Sequence, residues 1–178
     1  MSTNNKKTVV ITGAAGGIGM ACAKILKGYR LLMTDYSEAI VDKVTDQLVQ
    51  QGYDAVGLAC DITKKEEVVK LKELALKLGD FGGLVHTAGV SGSGQDPEKV
   101  FMIDLVGTEI LVDAFYEIAK DGSALILFSS IMGHTVPPNP DYDDALRNPQ
   151  HQNSLETVAS FVNGDSDMMY NFAKRGVH

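Results

Sequence analysis

After a short apolar run, Thr8-Val9-Val10-Ile11, the chain places Thr12-Gly13-Ala14-Ala15-Gly16-Gly17-Ile18-Gly19, a glycine-rich turn that opens a helical stretch. Glycines there permit positive φ and let the backbone approach a pyrophosphate, while the free N–H groups of a helix N-terminus point at the anion. The alternative is a flexible turn. The place between a first strand and a first helix favours the phosphate. Asp35 ends the second apolar run, 22 residues after Gly13. A carboxylate there accepts hydrogen bonds from ribose hydroxyls and repels a 2′-phosphate, which favours NAD over NADP; the alternative is an Asp capping the next helix. Tyr36 follows, not Arg, so nothing adjacent offsets a phosphate charge.

A second pattern is Tyr-x-x-x-Lys, which sets both side chains on one helical face. It occurs twice, as Tyr170/Lys174 and as Tyr116/Lys120. Position separates them. Tyr116 falls late in a helix that runs back towards the N-terminal edge of the strands. Tyr170 follows the last strand, so it can start a helix at the C-terminal edge, where ligands bind in open α/β sheets. The alternative for both is an ordinary surface tyrosine.

Other chemistries are disfavoured. His86, His134, His151 and His178 show no i,i+4 pairing, and Cys22 and Cys60 have no C-x-x-C spacing. Neither a metal site nor a disulfide framework is expected, and the cysteine usage suits a reducing, cytoplasmic setting. With 16 Lys+Arg against 23 Asp+Glu the net charge is −7, and no basic stripe is present to hold a nucleic-acid backbone. The segment Met1-Ser2-Thr3-Asn4-Asn5-Lys6-Lys7 leads into a four-residue run, not a signal-peptide core, and no stretch nears the roughly 20 apolar residues of a membrane span. Neither nucleic acid nor membrane is an expected partner.

The elements that must position these residues alternate regularly. Strands are expected at 8–11, 31–33, 55–60, 84–85 and 124–128, and helices at 17–28, 38–51, 64–78 and 97–120. The strand runs are solid, as in parallel strands buried on both faces. In the longest helix Ile103, Gly107, Ile110, Leu111, Ala114 and Ile118 form one apolar face, with Pro97 in its first turn and Gly122 past its end. Five strands and four crossover helices make an α/β doubly wound parallel sheet. The 178 residues read as one domain. From 132 to 167 the pattern breaks: Pro137, Pro138, Pro140 and Pro149 and five Asp accompany a single expected helix, 154–161, which reads as an insertion.

The spacing Gly13-x-x-x-Gly17-x-Gly19 resembles that of the short-chain dehydrogenase/reductase family, and three more segments fit in order. Cys60-Asp61-Ile62 resembles the family's adenine-binding Asp with its apolar neighbour. His86-Thr87-Ala88-Gly89 resembles its Asn-Asn-Ala-Gly turn with both Asn replaced, and Phe128-Ser129-Ser130-Ile131-Met132-Gly133 resembles the segment with the catalytic serine, here Ser130. The resemblance implies a Rossmann fold, catalytic Ser130, Tyr170 and Lys174, and a cofactor set of Gly13, Gly17, Ile18, Gly19, Asp35, Asp61, Ile62, Ala88, Gly89, Tyr170 and Lys174, with NAD bound.

The implied reaction interconverts a secondary alcohol and a ketone or aldehyde, with Tyr170 as general acid/base. An unperturbed phenol, with a pKa of about 10, is a poor base near neutrality, and an ammonium one turn away favours the phenolate. Lys174 would also hold the nicotinamide ribose, and Ser130 the substrate oxygen. Two positions depart from the family. Asp104 stands where many members have an Asn in a water-linked proton relay; the alternative is an ordinary polar helix residue. The 40 residues from Ser130 to Tyr170 exceed the common spacing and resemble the hydroxysteroid dehydrogenase/carbonyl reductase subgroup. That points to a hydrophobic small-molecule substrate. The insertion lies where members pack helices between subunits, so a homo-oligomer is an open expectation. The chain stops at His178, and a Rossmann sheet has a sixth strand, so a C-terminally truncated member is expected. The competing reading is a dinucleotide-binding module without turnover. An epimerase on a nucleotide sugar is disfavoured by the glycine spacing.

Overall fold

The computed structural model describes residues 6–178. Residues 1–5, which the sequence reading placed outside any signal-peptide core, lie outside the described residues. The order is β1 (Thr8–Thr12), α1 (Gly17–Ile25), β2 (Arg30–Thr34), α2 (Glu38–Gln50), β3 (Asp54–Gly57), α3 (Lys65–Leu78), β4 (Phe81–His86) and α4 (Pro97–Phe101). A π-helical turn (Met102–Val106), α5 (Gly107–Tyr116), β5 (Ala124–Leu127), a 3-10 turn (Ile131–Thr135), α6 (Pro140–Arg147), α7 (Ser154–Val162) and α8 (Ser166–Gly176) complete it. No helix among the described residues is long and apolar enough to cross a membrane. The chain forms two compact units: the segment up to Ala88 with Leu111–Leu127, and Gly89–Ile110 with Phe128–His178.

The first unit holds the whole sheet, all parallel, in the order β3-β2-β1-β4-β5. This is the expected doubly wound parallel sheet. Val10, Ile11, Leu31, Leu32, Met33 and Leu84 on the three central strands are buried completely. Burial on both faces holds only there. In β5 Ala124 and Ile126 are exposed, and no residue of β3 is fully buried, because these two strands form the sheet's edges. Helices α2 and α3 turn Val41, Val44 and Leu48, and Val68, Leu71 and Ala75, inwards at three- and four-residue steps. Phe115 of α5 stacks on Phe81 of β4 with ring centroids 5.4 Å apart.

On the outer pair of strands, the Arg30 Nε donates to Asp54 Oδ1 at 3.0 Å, at the register position that pairs the two residues. This hydrogen bond, more than the charge, holds the Asp54 carboxyl below its ordinary value. A lowered native pKa stabilises the fold above the unfolded value, near 3.9, and the contribution disappears as pH falls through the native value. The pair is partly exposed, so its worth is small, under about 1 kcal/mol. Asp54→Asn is expected to lower the melting temperature by no more than about 4 °C at pH 7 and by nothing at pH 2, measured by thermal unfolding across that range.

In the second unit the insertion, for which one helix is expected, carries a further one, α6, ahead of it. Asn139 accepts from the Asp141 N–H with Pro140 in the first turn, so the Pro-rich stretch starts α6. Asn163 in the left-handed region, at φ 50°, stops α7 one residue beyond the expected helix. Tyr142, Phe161 and Phe172 from α6, α7 and α8 meet edge-on or stacked, with centroids 4.9–6.5 Å apart. The Tyr142 hydroxyl donates to the Pro137 carbonyl.

The expected long helix differs in two ways. It ends at Tyr116, not Lys120, and it is interrupted by the π-helical turn. Of the expected inward face Gly107, Ile110 and Leu111 are buried and Ile103, Ala114 and Ile118 only partly so, while Asp104, Leu105, Val106, Thr108 and Phe115 are buried outside it. Three successive residues of the π turn, Asp104, Leu105 and Val106, are buried, which an α-helical period cannot register.

Candidate active site

Within the first unit the glycine turn is shaped by backbone contacts. Gly13 has φ +64°, and a Cβ there would lie 2.6 Å from the Ala88 nitrogen and 2.7 Å from its Cα. A Cβ on Gly19 would lie 2.5 Å from the Gly13 carbonyl oxygen. Gly17 differs: nothing lies within 4 Å of its Cβ position. It begins α1, whose N-cap, Gly16, makes no side-chain hydrogen bond and whose first turn carries no acid. An uncapped helix N-terminus beside open space at Gly17 is an arrangement able to hold an anion. Ile18 beside it is exposed.

Asp35 leans over the same turn. Its Oδ2 accepts from the Ala15 N–H at 3.3 Å and its Oδ1 from the Tyr36 N–H at 2.9 Å. The capping alternative gains no support, since the N-cap Ser37 and not Asp35 precedes α2. On the neighbouring strand end, the Ala88 N–H donates to the Thr12 Oγ1, which also meets His86 Nδ1 at 2.7 Å. The Thr87 hydroxyl donates to the Thr12 carbonyl. Asp61 accepts at Oδ1 from both the Thr63 N–H and hydroxyl and pairs at Oδ2 with Lys64, and its own N–H donates to Glu67. Burial pushes its carboxyl up, but the bonds from Thr63 and the Lys64 ammonium together hold it below its ordinary value. Ile62 is buried. Burial pushes the Cys60 thiol up to about 12, which makes it unreactive.

Within the second unit Tyr170 and Lys174 share the inner side of α8, which Asp165 starts by accepting from the Asp167 and Met168 N–H groups. The Lys174 Nζ stands 5.5 Å from the Tyr170 ring centroid. Lys174 is buried, Tyr170 half-buried. The Ser129 hydroxyl donates to the Lys174 carbonyl at 2.6 Å, and Ser130 caps the 3-10 turn by accepting from the Met132 N–H at 3.2 Å, which leaves its own proton free to donate. A Cβ on Gly133 would touch the backbone of Lys174 and Arg175 at 2.8–2.9 Å, so that turn lies directly on α8.

Asp104 is wholly buried beside them. Its Oδ1 accepts from the Val90 N–H at 2.7 Å, and its Oδ2 lies 3.3 Å from Lys174 Nζ without making a hydrogen bond. Burial pushes its carboxyl above its ordinary value, against the pull of the Lys174 ammonium and the Val90 amide. Gly89 is close to both, its Cβ position 3.2 Å from Asp104 Oδ1 and 3.3 Å from Lys174 Nζ.

The family model of the short chain dehydrogenases matches residues 7–142, which include the glycine turn after β1 and the acid that follows β2. The chain belongs to the short-chain dehydrogenase family. It is 30% identical over 141 residues to a diacetyl reductase, (S)-acetoin forming, of Staphylococcus epidermidis, covering 72% of this chain and 55% of the relative. It is 32% identical over 133 residues to the 7alpha-hydroxysteroid dehydrogenase of Escherichia coli K12, covering 68% and 51%. Among solved structures, a short-chain dehydrogenase/reductase from Burkholderia phymatum in complex with NAD superposes with a TM-score of 0.72 at 24% identity, over 99% of this chain and 58% of that one. The likeness supports the Rossmann fold. The chain spans about half the length of the curated relatives it matches.

In this short-chain dehydrogenase the expected site residues fall into two groups. Gly13, Gly17, Ile18, Gly19, Asp35, Asp61, Ile62 and Ala88 are in the first unit; Gly89, Ser130, Tyr170 and Lys174 are in the second. Tyr116 of the rival Tyr-x-x-x-Lys pair is in the first unit and 74% exposed. Sequence reasoning did not foresee the Ser129 bond to Lys174, which a second serine beside Ser130 does not announce. Asp104 was singled out as a charge at the family's relay position near Lys174, and the structure pairs the two directly at 3.3 Å.

Proposed function

We propose that this protein interconverts a secondary alcohol and a ketone or aldehyde with NAD, using Tyr170 as general acid/base. The observation that carries the reading is the buried Lys174 ammonium placed over the Tyr170 ring, 5.5 Å from its centroid. A cation there favours the phenolate and equips the hydroxyl to take a proton from an alcohol or return it to a carbonyl. Ser130, its proton free, would donate to the substrate oxygen and steady the charge that develops there. The dinucleotide supplies hydride transfer when bound. The uncapped amides of α1 and the open space at Gly17 suit its pyrophosphate, and Lys174 its nicotinamide ribose.

Asp35 supports NAD over NADP, since a carboxylate held at the turn accepts from ribose hydroxyls and repels a phosphate. Asp35→Ser is expected to shift the ratio of NAD to NADP affinity by about tenfold or more towards NADP, the loss of one charge-assisted contact, read by calorimetric titration of both dinucleotides. The helical insertion before Tyr170 and the relation to a hydroxysteroid dehydrogenase support a hydrophobic, steroid-like alcohol or ketone. The test is NAD reduction with a panel of hydroxysteroids and small secondary alcohols. Turnover of a hydroxysteroid supports the full reading. Dinucleotide binding with no turnover on any of them would replace it by a binding module.

A further inference from the structure

We propose that Asp104 is a positioning residue: its carboxylate holds and partly neutralises the Lys174 ammonium, and so sets the pH range in which Tyr170 exchanges its proton. The inference rests on the reading of Tyr170 as the proton-exchanging group.

The geometry is specific. A fully buried carboxylate commits one oxygen to a backbone amide, Val90, and aims the other at Lys174 Nζ, 3.3 Å away, with no hydrogen-bond partner of its own. It does so from a π-helical turn, where the hydroxyl of Thr108 also donates to the Asp104 carbonyl. A buried carboxylate is costly to keep unless a charge faces it. Lys174 is that charge, and it also lies over Tyr170. An ammonium paired at 3.3 Å with a carboxylate presents its other neighbours with a dipole instead of a full charge.

Other charges on the elements packed against α8 are committed elsewhere or exposed. Asp143 of α6 pairs with Arg175, Lys99 of α4 bonds Gln95, and His134 of the 3-10 turn stacks on His178. Glu98, Asp141, Asp144, Arg147 and Glu156 are exposed to solvent. Among the described residues Asp104 is the acid paired with Lys174.

Asp104→Asn removes the charge while keeping the size and an oxygen for the Val90 amide. Its readout should not depend on turnover. In protein labelled at the tyrosine ring carbon that bears oxygen, with the signal assigned by Tyr170→Phe, the titration midpoint of Tyr170 is expected to fall by about one pH unit in D104N. An unchanged or raised midpoint overturns the proposal. The acid limb of the kcat/KM profile for alcohol oxidation should fall by the same amount, a gain of about fivefold one unit below the wild-type midpoint that approaches tenfold at lower pH. If the wild-type protein turns over no substrate but the NMR midpoint moves, the enzymatic reading fails and the charge pairing stands. Should D104N not fold, Asp104→Ser, neutral and smaller, gives the same comparison and the same two outcomes.

Discussion

Replacing Tyr170 by Phe is expected to lower kcat for alcohol oxidation by about 10³-fold, the middle of the range for losing a general acid/base. The ring stays over the Lys174 ammonium, so packing on α8 and the cation–ring contact survive. Only the hydroxyl is lost. Because the proton is in transit only in the transition state, kcat and kcat/KM should fall together with KM little changed. NAD affinity should be retained within a few-fold, since the pyrophosphate cradle and Asp35 belong to the other unit. The measurement is initial-rate kinetics at 340 nm together with calorimetric NAD titration. Tyr116→Phe is the matched control, an exposed tyrosine in the first unit followed four residues on by a lysine, and should leave every constant unchanged. A Y170F protein with more than a tenth of wild-type kcat would move the proton transfer to another group.

The contrast between these two tyrosines shows what the sequence could and could not disclose. The Tyr-x-x-x-Lys spacing is the same in both, and only the order of strands and helices separated them, which the solid apolar runs made readable. The sheet and its glycine turn were legible because each rests on a local rule: apolar runs of strand length, or a positive φ that glycine supplies. Helix α6 was missed for a different reason. Four prolines within the insertion were weighed as loop signals, yet Asn139-Pro140 is also a cap followed by a first-turn proline, and only packing of Tyr142 against Phe161 and Phe172 decides which meaning holds. The inward face of the long helix was legible only in part, since Gly107, Ile110 and Leu111 are buried but so are Asp104, Thr108 and Phe115 outside the expected stripe. A π turn adds a residue without altering composition, and within it Asp104, notable in the sequence only for its place in the family pattern, is fully buried. That acid is inside because Lys174, 70 residues later, is there to meet it. Such a pairing of distant residues leaves no periodic trace.

The glycines of the turn divide by role, and two substitutions should separate folding from cofactor binding. Gly13→Ala places a left-handed alanine whose Cβ meets three backbone atoms of Thr87 and Ala88 at 2.6–2.8 Å. Left-handed backbone alone costs an L-residue roughly 1–2 kcal/mol. Backbone atoms on a neighbouring strand end cannot swing aside, and bond-angle or dihedral strain of at least about 1 kcal/mol must be added. A total near 3 kcal/mol corresponds to a fall in melting temperature of roughly 6–12 °C for a chain of this size. Gly17→Ala meets nothing within 4 Å, and it starts α1, where alanine is the better helix residue by about 0.5 kcal/mol. Its melting temperature should stay level or rise by about 1–2 °C. NAD binding should respond the opposite way to that stability. The methyl of Gly17→Ala projects into the space the pyrophosphate needs, so affinity should fall by at least about 30-fold, equivalent to roughly 2 kcal/mol. Thermal unfolding and calorimetric NAD titration on the two variants give four numbers. A Gly17→Ala protein that binds NAD as the wild type does would place the pyrophosphate elsewhere, and with it the argument that the open space at Gly17 is a cradle for the cofactor would fall.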